Sequence, residues 1–419
     1  MRETTIQSKA EPRTHLVLDE LERVPQRVFV DPSTARKIAG LGLVTITPAW
    51  EGGMDLLPTG RVGAIQVEDL LIEVRPKARV GLDRILFLLG YAADPGFRPD
   101  DLAGATFDDL FSALAESVAR QVERALTLGP ISGYVRVEEA LRSVRGRIRV
   151  GEQIARHPGM LLPLEMTFDD YTADIPENRI LRSAIRRVRG LPRLAPDLSR
   201  RLGHLDAKLD GVGVLAPGEP LPAWHPSRLN AHYLPSLRIA ELVLRNLSSE
   251  AGIGGQTIAS FIVDMAKVFE DFVTVALRVE LGNRGYAAQA QYPIVLDQPQ
   301  PDGNQVRMFA DVVLMAKGRP AGVFDAKYKA SWRGSYSNAD QYQMLAYCTA
   351  LDVRIAWLLY ADSGVSRARR IVNTEVSVNE VPIDLSRSPS ELLASIGDLA
   401  KVVLSSDEWG QPLTRDSIA

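Results

Sequence analysis

The sequence predicts an α/β chain, α+β overall, in which β-rich and helical parts precede a mixed-sheet domain. Three observations carry that prediction. Short apolar runs broken by turn residues fill residues 14–95. Apolar residues at helical spacing dominate 96–250, with one hairpin among them. From 251 to 400 the pattern reads α-β-β-β-α-β, an order that suits a mixed sheet with helices packed on it.

The 419 residues exceed one ordinary domain. A hydrophobic share of 46% and a charged share of 24% are those of a globular protein with a sizeable core. There is no apolar run of about 18 residues, so no membrane-spanning helix is expected. Met1–Arg13 is polar and reads as a disordered tail rather than a signal peptide. Residues 401–419 read as a second tail. Cys348 is the single cysteine, which excludes an intrachain disulfide and a Cys-based zinc site and fits a cytoplasmic protein. A net charge of −3 gives no overall attraction to nucleic acid, so any such contact must be local.

In the first part, Arg27–Val30, Leu43–Ile46, Val62–Ile65 and Leu70–Val74 read as strands, and Ile85–Ala92 as a buried helix. Thr106 and Asp109 suggest a helix cap. Phe107, Leu110, Phe111, Leu114, Val118 and Val122 form the stripe behind it, and Gly129-Pro130 the stop. Tyr134–Val137 and Arg147–Val150 read as extended. Asp174 and Glu177 resemble a capping box for a helix with Ile180, Leu181, Ala184, Ile185 and Val188 on its apolar face. Further helices are expected at about 196–210 and 235–249, and Gly252, Gly254 and Gly255 as a hinge. In the last part a helix is expected at 258–281 and strands at 286–295, 306–315 and 321–328. A helix at 337–350, strands at 353–360 and 370–378, and a short helix near 389–399 complete it.

The chemistry concentrates at Asp311, Asp325 and Lys327. The two aspartates lie symmetrically about Gly318, so a hairpin centred there makes them cross-strand neighbours on one face. Lys327, two residues after Asp325, shares that face by the strand period. Two carboxylates are hard oxygen ligands of the kind Mg²⁺ takes, and the Ala326 carbonyl offers a further oxygen. A lysine beside them can orient a metal-bound water or neutralise charge on a phosphate. An Asp-x-Lys triplet alone says little: Asp206-Ala207-Lys208 is another, but sits in a helical pattern without a partner strand. The apolar strands around Asp325 and Lys327 make the difference, because buried charges need a partner or a task. On the following helix Asp340, Gln343 and Tyr347 share a face. Glu270 sits within an apolar helical stripe as a further candidate carboxylate.

Arg136, Arg142, Arg145, Arg147 and Arg149, and a second series from Arg179 to Arg193, are candidate contacts to phosphates or to an acidic partner. Solvated surface is the plainer reading. The five histidines lack metal-ligand spacing, and His225 and His232 read as packing residues beside Trp224 and Tyr233. No G-x-x-x-x-G-K-[ST] loop occurs, so the chain has no nucleotide-driven motor of that type.

Asp311, Asp325-Ala326-Lys327, the helix Gln343-Met344-Leu345-Ala346-Tyr347 and Glu270 together resemble the PD-(D/E)XK nucleases, in the branch with a Q-x-x-x-Y helix. Ala310 departs from the family's proline. The remainder resembles the McrC family, nuclease subunits of McrBC modification-dependent restriction systems. It does so at Val62–Ile65, Arg75-Pro76-Lys77, Arg145–Ile148, Glu177–Leu181 and Phe269–Val273, and over roughly residues 15–400. The resemblance implies a partner-binding N-terminal region and a nuclease domain at 251–400 that cleaves DNA. Asp311, Asp325, Lys327, Gln343 and Tyr347 would be catalytic. Mg²⁺, with Mn²⁺ as a substitute, would be held by Asp311, Asp325, Ala326 and Glu270. It also implies an McrB-like AAA+ NTPase hexamer, a GTPase, as partner, with Arg145 and Arg147 as candidate contacts. A repair or recombination nuclease of the same fold and a non-catalytic regulator of a AAA+ ring are the alternatives.

Overall fold

The computed structural model describes residues 14–405 apart from 51, 68–69, 78–79, 96, 98–109, 192–193, 252–256, 300–303 and 329–336. The expected N-terminal tail, the Thr106–Asp109 cap and the glycine hinge lie outside the described residues. The chain forms two compact units. One combines Met1–Ala105 with Glu250–Ala419, and the other is Thr106–Ser249.

The first segment holds β1 (Thr14–Asp19), β2 (Gln26–Val28), α1 (Pro32–Leu41), β3 (Val44–Pro48), β4 (Met54–Pro58), β5 (Val62–Val67), β6 (Leu70–Arg75) and α2 (Leu82–Ala93). The middle segment holds α3 (Leu110–Ala125), β7 (Gly133–Leu141), β8 (Arg147–Ile148), α4 (Val150–Arg156), β9 (Leu164–Thr172), α5 (Pro176–Arg189), α6 (Pro196–Lys208) and α7 (Leu234–Asn246). The last segment opens with β10 (Leu247–Ala251), β11 (Thr257–Val263), α8 (Met265–Asn283), β12 (Ala287–Val295), β13 (Arg307–Ala316) and β14 (Arg319–Lys327). It closes with α9 (Asn338–Leu351), β15 (Ile355–Tyr360), β16 (Arg367–Arg370), β17 (Ser377–Pro382) and α10 (Pro389–Leu404).

The expected boundary at 251 does not separate the first segment from the last. β11 pairs antiparallel with β5, from Ile258 opposite Val67 to Val263 opposite Val62, within the sheet β1-β6-β5-β11-β10. β5 is buried along its whole length, as a strand paired on both edges and covered on both faces should be. Gly63 makes the pairing possible. Its φ is 139°, and a Cβ there would stand 1.9 Å from the Phe261 carbonyl oxygen. The helix expected from 258 therefore begins at Met265. Its cap is Asp264, whose side chain accepts from the amides of Ala266 and Lys267. An apolar run passing from strand into helix hid the boundary. The unit's aromatic core joins both segments, with Phe87 and Tyr91 of α2 edge-on to Phe272 of α8 at 5.9 and 5.6 Å.

The second sheet runs β12-β13-β14-β15-β17-β16. β13 and β14 form an antiparallel hairpin, β14, β15 and β17 run parallel, and β16 closes the edge antiparallel. The turn Lys317-Gly318 has φ of 51° and 77°, positive at both central residues as a tight hairpin requires. α9 lays Met344, Tyr347 and Cys348 on Val313, Val323, Ala356 and Leu358 in one buried cluster. Of the strand expected at 370–378, Arg370 ends β16, Ser377 and Val378 begin β17, and 371–376 form the turn between them. α10 continues through Leu404, four residues into the expected tail.

In the middle unit β9 is the central strand of the sheet β7-β9-β8, beside the helices. α5 starts at Pro176 after Ile175, which makes no side-chain cap bond. Asp174 is not a cap: it accepts from Arg179 and from the Gly213 amide. The helix expected at 235–249 ends at Asn246, where β10 takes over.

Candidate active site

Asp311 and Asp325 come together through strand register. Val312 pairs with Phe324, so one step further along the antiparallel ladder Asp311 stands opposite Asp325. The Ala326 amide donates to Asp311 Oδ2 at 2.8 Å. Lys327 Nζ forms an ion pair with Asp325 Oδ2 at 2.5 Å, and Asp325 is 1% exposed. Burial raises the pKa of Asp311, and the neighbouring Asp325 raises it further. Burial also raises that of Asp325, against the pull of Lys327. Burial works against the Lys327 ammonium, but Asp325 and Asp311 outweigh it and keep the group charged. The hairpin thus holds two carboxylates that resist joint ionisation and one cation beside them.

Other predicted residues stand further back. Gln343 Nε2 donates to the Tyr347 hydroxyl at 2.6 Å, and that hydroxyl donates to the Phe309 carbonyl at 2.7 Å. Tyr347 thereby ties α9 to β13 two residues before Asp311. Burial pushes its pKa up to about 12, with Asp325 adding to the rise. Glu270 accepts from Lys267 at 3.1 Å and from Gln291 at 2.9 Å, while its charge still raises the pKa of both aspartates. Among the described residues no group of three or more His, Cys, Asp or Glu side chains is gathered as a metal cage. The donor set that fits a hard divalent cation is therefore the facing pair Asp311 and Asp325, whose mutual repulsion such an ion relieves.

Sequence reasoning undervalued two features. Asp340 is 2% exposed and accepts from the Tyr360 hydroxyl at 3.2 Å, while Tyr360 pairs with Lys327 across β14 and β15. Its charge acts on Asp325 and Lys327. The shared face with Gln343 and Tyr347 was the available signal. Glu20, from the first segment, accepts from the Tyr328 hydroxyl at 3.0 Å and from the Lys77 amide at 3.1 Å. Lys77 Nζ lies 4.0 Å from the centre of the Tyr328 ring. No local pattern announces a contact of that range.

The middle unit accounts for most of the arginines internally. Asp206 takes Arg182, Arg186 and Arg189, and Arg149 reaches Glu138, Glu152 and Glu165. Arg145 is no free tip, since it pairs with Asp170 at 2.5 Å and lies 4.2 Å over the Phe168 ring. Gly146 packs close to β9, where a Cβ would come 2.4 Å from the Thr167 oxygen. Arg147 pairs with Thr167 at an exposed position of β8. α4 buries no residue, and Val144, Val150, Ile154, Met160, Leu161 and Leu162 are all exposed around it. His225 and His232 are both exposed rather than packed in the core; His232 only lays its ring edge-on against Tyr233 at 4.9 Å.

Residues 57–361 match the model of the McrBC 5-methylcytosine restriction system component family. The chain belongs to that family. No curated protein matches it. Among solved structures, the McrBC family chain is similar to one from the tetradecameric assembly of Thermococcus gammatolerans McrB AAA+ hexamers with bound McrC. The TM-score is 0.60 at 16% identity, over 93% of this chain and 100% of that one, so the fold is shared. A second Thermococcus gammatolerans McrBC complex matches at a TM-score of 0.39 and 17% identity, over 64% of this chain and 88% of that one. Among the described residues no helix of this McrBC family member is long and apolar enough to cross a membrane.

Proposed function

We propose that this McrBC family chain is the DNA-cutting subunit of a modification-dependent restriction complex, a divalent-metal-dependent endonuclease. The observation that supports it most is the cross-strand pair Asp311 and Asp325 with Lys327 ion-paired beside it, buried on a hairpin of a mixed sheet. Asp311 and Asp325 would hold Mg²⁺, or Mn²⁺ in its place, with the Ala326 carbonyl as a further oxygen. Such an ion supplies Lewis-acid charge at a phosphate and lowers the pKa of a bound water. Lys327, ion-paired with Asp325, would orient that water or meet charge developing on the phosphate. Tyr347 and Gln343 hold α9 against β13 and so keep Asp311 in place. Glu270 adds negative charge that bears on both aspartates.

The partner in this reading is a AAA+ NTPase hexamer of the McrB kind, a GTPase. The similar Thermococcus gammatolerans assembly, in which McrB AAA+ hexamers carry bound McrC, supports it. The exposed apolar side chains around α4 are the surface such a ring would cover, with Arg147 at their margin. The deciding experiment is plasmid cleavage by the chain with its cognate NTPase, nucleotide and Mg²⁺. Loss of cutting on chelation and in Asp325→Asn is the expected result. Undiminished cutting by Asp325→Asn removes the site from the reaction.

A further inference from the structure

β16 is the edge strand of the sheet that carries the aspartate pair, and its sequence is Arg367-Ala368-Arg369-Arg370 with every residue exposed. Its register ties it to the site. Arg367 pairs with Glu380, Glu380 with Leu358, and Leu358 with Asp325. Three strand spacings of about 4.8 Å place Arg367 roughly 14 Å from Asp325 along one row of the sheet. Glu380 is 1% exposed, and its Oε1 accepts from both Arg369 and Gln341 of α9 at 2.7 Å. A buried anion thus sets the direction of Arg369, whose side chain stays 45% exposed.

We infer that this edge is a phosphate-binding track for duplex DNA, with Arg367 and Arg369, which share the face of Asp325 by the strand period, gripping the backbone beside the cut position. The inference rests on the nuclease reading for its choice of DNA. The offset along the row is comparable with the roughly 12 Å width of the B-DNA major groove, so a duplex with one phosphate at Asp325 presents further phosphates at the edge. Arginine forks onto phosphate oxygens and stays charged at any working pH. Charged edge strands also serve a plainer purpose, the prevention of edge-to-edge association. A charge reversal separates the two, because glutamate protects an edge as arginine does but repels DNA.

The test is a fluorescence-anisotropy titration of a labelled duplex with the full-length chain, without divalent ions, over a series of salt concentrations. Arg367→Glu with Arg369→Gln, whose amide can still donate to Glu380, should weaken binding by at least about tenfold and flatten the log–log salt slope by about 2. The corresponding double lysine variant should bind like wild type. Arg367→Ser, a milder change, should lower the slope by about 1 and covers the case in which the reversal fails to fold. Wild-type affinity and slope in the folded reversal, with or without a change in oligomeric state, overturn the track, as does a wild-type chain that binds no duplex. Cleavage of the same duplex by the chain with its cognate NTPase, nucleotide and Mg²⁺ is measured alongside. Failure of the nuclease reading therefore shows as absent cleavage with the arginine effect intact, and failure of the track as the converse.

Discussion

The hydroxyl of Tyr328 donates to Glu20 Oε2 at 3.0 Å, a bond between residues 308 positions apart. The strand end that follows Lys327 is thus fastened to the first segment of the chain. With the β5–β11 pairing and the Phe87–Phe272 contact, it makes the last segment dependent on the first.

A fragment spanning 251–405 should therefore not fold alone. Within the full chain, Glu20→Ala leaves the Lys77 amide and the Tyr328 hydroxyl without their acceptor and should cost about 2–3 kcal/mol. Urea denaturation measures both. A fragment that unfolds as cooperatively as the whole chain would refute this dependence.

Asp325→Asn relieves the repulsion with Asp311 but breaks the ion pair with Lys327, which keeps Asp311 as a counter-charge, so the two effects oppose and its metal-free stability should be close to wild type. Its metal response should be lost. Mg²⁺ at about 100 times its dissociation constant should stabilise the wild-type chain by about 2.7 kcal/mol and the variant by much less. Cleavage should drop by more than about 100-fold, beyond the usual effect of an outer-shell change. Equal Mg²⁺ stabilisation of the two proteins counts against metal binding at this pair.

Asp206 belongs to a second Asp-x-Lys triplet, yet a substitution there is no benign control. Its carboxylate collects Arg182, Arg186 and Arg189 between α5 and α6. Asp206→Ala should destabilise the middle unit by about 2 kcal/mol, since it takes from the largely buried Arg182 its nearer carboxylate and leaves it the exposed Asp210 and the Val212 carbonyl. Burial raises the Asp206 pKa, but Arg186 and Arg182 outweigh it and the net shift is downward. A depressed folded pKa gives stability that is present above the unfolded value near about 3.9 and lost as pH falls through the folded one. Denaturation midpoints between neutral pH and about pH 3 should fall more steeply for wild type than for Asp206→Asn. Parallel profiles would mean that the cluster contributes nothing.

The exposed apolar side chains around α4 predict a separation of effects. Ile154→Asp with Leu161→Asp should leave melting unchanged, because neither side chain is buried. It should weaken stimulation of the partner NTPase by more than about tenfold if these residues are central anchors. Arg147→Glu should act in the same direction. Arg145→Glu is a poor probe, since it sets two acids against each other at Asp170. Full stimulation by the double aspartate variant moves the contact elsewhere.

The hairpin was legible because its information is local. The turn places both aspartates on one hairpin, but alone it would set Asp311 opposite Phe324; the register shift between Leu314 and Met315 brings Asp325 there, and the strand period fixes Lys327. α9 was legible for the same reason, through helical spacing. β11 was not, because its identity as a strand depends on β5, far away in sequence, while its apolar run continues into α8. The turn between β16 and β17 was read as strand because Ile371 and Val372 favour extended backbone. The capping role expected of Asp174 lost to a tertiary partner, Arg179 together with the Gly213 amide. Glu270 looked like a ligand by its place in an apolar stripe, and only the neighbouring Lys267 and Gln291 reveal its local engagement.

The split of one unit across two chain segments also bears on synthesis. β5 emerges from the ribosome with one edge waiting for β11, and about 190 residues, including the whole middle unit, are translated between them. At about 5–20 residues per second that interval is roughly 10–40 s. For that time the nascent chain carries an apolar strand with an open edge, a template for unwanted pairing. Early folding of the middle segment shortens no part of this wait. Protection must come from chaperones or from slow traffic near the ribosome, and recombinant yield should respond to translation speed across residues 68–256.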